Sequence, residues 1–137
     1  MSAVKELIRV EDNGSISFGD YELTQKTKLS DFEYEGDVYK VKTFDQITKF
    51  EKNGLFVYES VPGTAVKGLM ITEEGMQFGV EGHESAQVTV EMEPDAQYHV
   101  SLNGMDVGNM NTHLGGKLSF SVEFENGSEV VVVIQKV

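Results

Sequence analysis

The clearest regularity in the chain is a two-residue alternation of apolar and polar positions in its last third. Val88, Val90 and Met92 alternate with Gln87, Thr89 and Glu91, and Tyr98, Val100 and Leu102 with His99 and Ser101. Leu118, Phe120, Val122 and Phe124 alternate with Ser119, Ser121, Glu123 and Glu125. A period of two sends successive side chains to opposite faces of a strand, so these segments predict antiparallel strands with one packed and one wet face. The run Val130 to Ile134 is apolar without a break. It predicts a central strand covered on both sides.

Between such segments lie turn signals. Asn-Gly, whose residues both tolerate positive φ, occurs four times: Asn13-Gly14, Asn53-Gly54, Asn103-Gly104 and Asn126-Gly127. Gly19-Asp20, Glu35-Gly36-Asp37, Glu74-Gly75, Glu81-Gly82 and Gly115-Gly116 are further candidates. Strands are expected between them, at about residues 7–10, 15–18, 21–27, 32–35, 38–44, 47–51, 55–60, 69–72, 76–80, 87–92, 98–102, 105–110, 118–124 and 130–135. Turn signals at intervals of roughly 8–12 residues belong to sandwiches and barrels. Helix is confined to two candidates, residues 3–9 and a turn around 44–50, and the second reads better as a hairpin arm. Composition shifts near residues 82–85 from Lys-containing hairpins to acidic, Val-rich strands. The expected fold is therefore all-β, with two packed small modules: a hairpin-rich one over residues 1–82 and a sandwich-like one over residues 83–137. No Pro- or Ser-rich linker separates them, so they are expected to pack together.

Charge narrows the list of partners. The chain has 137 residues and a net charge of −12. Residues 1–68 hold nine Lys/Arg against twelve Asp/Glu, a net of −3, and residues 69–137 hold two against eleven, a net of −9. Nucleic-acid and anionic-membrane surfaces need clustered cations, so neither partner is expected. The longest apolar run falls short of the ~18 residues of a membrane span. The N-terminal stretch Met1 to Leu7 has an early acid and no apolar core of a secretory signal, which makes a cytoplasmic location the default expectation. The absence of cysteine removes disulfides, thiolate metal sites and cysteine nucleophiles.

Catalytic signatures are missing. His83, His99 and His113 are not spaced for a metal, and there is no His-Glu-x-x-His. No Gly-x-Ser-x-Gly is present, and Pro62 to Gly68 lacks the spacing of a phosphate loop. Carboxylates cluster at Glu11/Asp12, Glu33/Glu35/Asp37, Glu73/Glu74 and Glu91/Glu93/Asp95, beside turns where solvated acids are ordinary. No catalytic residue, metal site or cofactor is assigned. The better lead is aromatic: Tyr34, Tyr39, Phe44, Phe50, Phe56 and Tyr58 share a region with Lys26, Lys28, Lys40, Lys42, Lys49 and Lys52. Aromatic faces with cations on a β surface suit a carbohydrate or an acidic sugar. The candidate ligand-binding residues are Tyr34, Tyr39, Lys40, Lys42 and Tyr58.

Two resemblances add to this. Met92-Glu93-Pro94-Asp95-Ala96-Gln97-Tyr98-His99-Val100 resembles the Leu-x-Pro-x-x-x-Tyr-x-Val signature of fibronectin type III modules. It implies that Tyr98 sits at a corner between sheets with its hydroxyl bonded back to nearby backbone. The strands after the tyrosine outnumber the family's, so the implied module is an immunoglobulin-like sandwich of different topology. Leu55 to Val66, together with the C-terminal strands, is similar to short bacterial proteins, some of which carry an endosialidase label. That resemblance implies an association with surface glycans. One arginine, Arg9, cannot form the arginine cluster of true endosialidases. The expected function is a non-catalytic binding or assembly module with a glycan or protein partner; the alternative is a glycan-active enzyme or enzyme subunit. Edge strands and the two-faced C-terminal strand also predict a homo-oligomer. Residues 21–27, with Lys26, and 38–44, with Lys40 and Lys42, are the expected blunted edges.

Overall fold

Every regular segment among the described residues is a strand. The computed structural model describes residues 3–83, 85–125 and 128–137. The strands are β1 (Ile8–Val10), β2 (Ile16–Phe18), β3 (Thr27–Tyr34), β4 (Asp37–Phe44), β5 (Ile47–Lys52), β6 (Leu55–Val61) and β7 (Ala65–Thr72). They continue with β8 (Gly75–Glu81), β9 (Ser85–Glu91), β10 (Gln97–Leu102), β11 (Met105–Asn111), β12 (Lys117–Glu123) and β13 (Val130–Lys136).

Turn chemistry sets the local pairing. Glu35-Gly36, Asn53-Gly54 and Asn103-Gly104 each have both residues at positive φ, between 51° and 86°. That matches the twist of the strands they join, β3–β4, β5–β6 and β10–β11. At Asn13-Gly14 only the glycine is left-handed. The loop there is longer, closed by the Gly14 N–H on the Glu11 carbonyl and the Glu11 N–H on the Ser15 carbonyl. Asn126-Gly127 lies outside the described residues.

The strands form two antiparallel sheets. The first runs β1-β2-β7-β8-β13-β10-β11 and the second β12-β9-β6-β5-β4-β3. Their inner faces share one apolar core. At its centre the Phe18 ring of the first sheet stacks on Phe50 of the second, with centroids 4.0 Å apart. Tyr58 meets both Phe18 and Phe78 edge-on. The architecture is all-β, as the alternation predicts, with the two sheets packed as a sandwich. Val88, Val90, Tyr98, Val100, Leu118, Phe120 and Val122 all point inward. Tyr98 is buried, and its hydroxyl accepts the Glu93 N–H at 3.1 Å. Both sheets draw on both halves of the chain. β6 pairs with β9, and β8 with β13, across the residue 82/83 boundary.

Four local expectations are corrected. Residues 3–9 do not form a helix: Leu7 is left-handed at φ 75°, the Val4 N–H bonds to the Gly19 carbonyl, and Ile8 enters β1. Residues 21–26 are not a strand but the crossing between sheets. Asp20 turns the chain by accepting the Glu22 N–H on its own carboxylate, and Tyr21 folds into a pocket with Ala3 and Ala65. The chain resumes as β3, which is the true edge, so β4 with Lys40 and Lys42 lies inside the sheet rather than at its border. Finally, β13 is central in its sheet but covered on one face only. Val130, Val132 and Ile134 are buried while Val131 is 45% exposed. The first half extends the sheets sideways instead of capping them. The outward valines fit the β-branched preference of a pleated strand.

Candidate functional site

A cleft of about 340 Å³ opens between the two sheets near the β3–β4 turn. Irregularities in both sheets shape it. In the β5–β6 pairing Phe50 faces Tyr58 and Glu51 faces Phe56, so Val57 is an extra residue and turns inward beside Tyr58. In the β7–β8 pairing the register shifts between Lys67 and Met70, at left-handed Gly68, and Leu69 is buried. Bulges bend strands and re-aim side chains, and they are frequent beside binding sites. Ile16, Tyr39, Phe50, Val57 and Leu69 make an apolar floor.

The rim is polar. Asn13 and Ser15 come from the β1–β2 loop, Tyr34, Glu35 and Asp37 from the β3–β4 hairpin, and Lys52 from the end of β5. The Asn13 carbonyl oxygen accepts both the Ser15 N–H at 3.0 Å and its hydroxyl at 2.6 Å, which fixes that loop. Asp37 is held by Asn53 Nδ2 at 2.9 Å and by Lys52 Nζ at 3.6 Å. Tyr34 is half-buried, and its hydroxyl lies 3.6 Å from where a Cβ on Gly14 would stand. Its ring therefore reaches from one sheet toward the turn of the other. Burial pushes the Tyr39 phenol up, and the nearby Asp37 and Glu35 carboxylates add to that, so it stays a neutral hydroxyl.

The five predicted ligand-binding residues separate into three places. Tyr34 and Tyr39 come together in the cleft. Lys40 and Lys42 project from the outer face of the same sheet, with Lys28, Lys49 and Glu51. Tyr58 is fully buried, with its hydroxyl 2.8 Å from Thr64 Oγ1, and touches no solvent. It is a core residue and not a ligand contact: it pairs with inward-facing Phe50 and Val90, which puts its ring in the middle of the sandwich. Sequence reasoning missed Asn13, Ser15 and Leu69 to Thr72 at the cleft. They are brought there by the pairing of β2 with β7, which carries no local signal.

Several other chemistry-bearing groups are structurally occupied. Glu91 pairs with Lys117 at 3.1 Å, Glu93 with Lys136 at 2.7 Å and Glu11 with Arg9 at 3.0 Å. His99 contacts Asn109 and Asp106, and His83 packs edge-on against Tyr21. Among the described residues no three His, Asp or Glu side chains converge as a metal ligand set, and no helix is long and apolar enough to cross a membrane. No family model, curated protein or solved structure matches the chain.

Proposed function

We propose that the chain is a non-catalytic binding module that receives a glycan in the cleft between the sheets. One observation carries this: a half-buried tyrosine, Tyr34, stands with hydrogen-bonding groups of both signs over an apolar floor. Pyranose rings pair an apolar face with a belt of hydroxyls, and such a cleft meets both. A volume of about 340 Å³ lies near the lower limit of small-molecule pockets and suits one sugar unit with its chain extending into solvent. With Glu35 and Asp37 against Lys52, the rim carries a net negative charge, which favours a neutral sugar. The likeness of residues 55–66 to bacterial proteins with an endosialidase label supports a glycan as the ligand, and the rim's charge selects a neutral one.

Titration of the 15N-labelled protein with neutral and sialylated oligosaccharides tests it. Neutral sugars shift the amides of residues 13–16, 34–39 and 69–72 saturably, and Tyr34→Ala abolishes the shifts while the protein stays folded. An array and titration without such shifts would remove the reading. Release of shortened sugars would replace it with the enzyme alternative, in which Glu35 and Asp37 are the carboxylates available.

The same module is proposed to self-associate through the outer face of the first sheet. There Met70 and Val131 are 37% and 45% exposed, beside Val133. Light scattering at micromolar concentration reads this directly: a dimer or larger species is expected, and Val131→Glu returns it to 15.2 kDa. A 15.2 kDa species persisting at high salt would exclude it.

A further inference from the structure

We propose that the outer face of the second sheet binds a tetrahedral dianion, a phosphate or sulfate group, between Lys28, Lys42 and Lys49. These three lysines form a row across adjacent strands: Lys28 is directly opposite Lys42, and Lys42 directly opposite Lys49. Neighbouring strands are about 4.8 Å apart, so the ammonium groups start from stems one strand spacing apart. Lys40 stands two residues from Lys42 on the same face, and together with Glu51 the four lysines line a notch of about 120 Å³. Like charges directly opposite across a sheet repel. Among the described residues none of the ion pairs includes Lys28, Lys40 or Lys42.

The rest of that face provides an internal contrast. Thr89 and Ser119 are opposite and hydrogen-bonded at 2.8 Å, Gln87 accepts from Ser121 at 2.9 Å, and Glu91 faces Lys117 at 3.1 Å. Lys40 faces Glu51, and Lys49 faces Glu59 on its other side. Polar neighbours on this sheet are complementary everywhere in these pairings except along the lysine row. Glu51 reaches Lys49 at 3.8 Å, which still leaves four lysines against one acid at the notch even though the chain has 23 acidic residues and a net charge of −12.

An oxyanion resolves the conflict. Lysine is a mobile point charge with three donors, and three ammonium groups can close on one tetrahedral group from different strands. A dianion offsets more of the repulsion than chloride does. Without an arginine fork the site is shallow and its ligand exchanges readily. The row lies on the face of the sheet opposite Tyr39 and the cleft, so it does not depend on the glycan reading.

The test is a titration of the full 15N-labelled chain with sodium phosphate at about pH 7.5, ionic strength held constant with sodium chloride. Saturable shifts are expected at the amides of Lys28, Lys42 and Lys49 and not at residues 34–39. Lys42→Gln weakens the phosphate affinity about tenfold and Lys42→Arg retains it. In phosphate-free, low-salt buffer Lys42→Gln melts no lower than the parent, because it relieves repulsion. Tyr34→Ala leaves phosphate binding unchanged. A hexose phosphate that binds tighter than inorganic phosphate assigns the group to a sugar substituent, and equal affinities assign it to the free ion. Shifts that chloride alone reproduces, or that saturate at the same phosphate concentration in Lys42→Gln as in the parent, would overturn the proposal.

Discussion

Replacing Thr48 by valine should cost far more than the loss of one hydroxyl. Thr48 is fully buried and its Oγ1 has three neighbours: the Thr64 carbonyl at 2.8 Å, the Thr64 N–H at 3.1 Å and Thr43 Oγ1 at 2.8 Å. A carbonyl only accepts, so the Thr48 proton goes there, and Thr43 must be the donor to Thr48. Thr43 in turn accepts the Asp20 N–H at 3.0 Å. The result is a directed chain from the crossing after β2, through β4 and β5, to the loop before β7. It ties the two sheets together at the end away from the cleft. Valine strands the Thr64 N–H, the Thr64 carbonyl and the Thr43 hydroxyl in a dry interior. An orphaned buried polar group costs about 1–3 kcal/mol, which puts Thr48→Val at about 3–5 kcal/mol, allowing for relaxation. That is a large part of the 5–15 kcal/mol typical of a domain. Thr48→Ser is the control: it keeps every bond and loses one buried methyl, about 1 kcal/mol. Urea denaturation followed by tyrosine fluorescence gives both values from midpoints at a common m-value. Equal costs for valine and serine would refute the chain of hydrogen bonds.

Three further outcomes follow from other parts of the molecule. Phe50→Ala removes the ring stacked on Phe18 and Tyr39 beneath the cleft, and should cost about 3–5 kcal/mol by the same denaturation assay. Burial, and then the Glu81 carboxylate, push the Tyr21 phenol from 10.0 up to about 12. The folded state thus holds its proton longer than the unfolded one, so stability is full below pH 10.0 and falls as pH rises toward about 12. The fully buried Tyr58 acts in the same direction, and Tyr21→Phe should flatten the decline measured by urea midpoints between about pH 9 and about pH 11. At the acid end, the Ser17 hydroxyl and then Arg9 hold the Glu11 carboxyl below its ordinary 4.5. Its contribution is present above that value and lost as pH falls through the lower folded one, and Glu11→Gln should remove that part of the acid dependence of the melting temperature.

Local chemistry in the sequence determined the strands, most turns and the inward faces. Val88/Val90, Leu118/Phe120/Val122 and Tyr98/Val100 are legible because a strand repeats every two residues, and one buried face selects one side-chain type. Glu35-Gly36, Asn53-Gly54 and Asn103-Gly104 are legible because positive φ favours few residues. Tertiary structure decided what no window of residues contains. It placed Tyr21 in a crossing rather than a strand, because burial with Ala3 and Ala65 outweighs strand propensity. It gave β13 a bare outer face, because the halves join edge to edge through β6–β9 and β8–β13. It also divided one run of aromatic and basic residues between a cleft, a lysine row and the core. Alternation predicts opposite faces for Tyr39 and Lys40, but only the pairing of β6 with Phe50 and Val90 assigns Tyr58 to the core, and only the pairing of β2 with β7 brings Ser15 beside Leu69 at the cleft. Register and bulges arise from contacts between strands distant in sequence, so they become visible only once the sheets have formed.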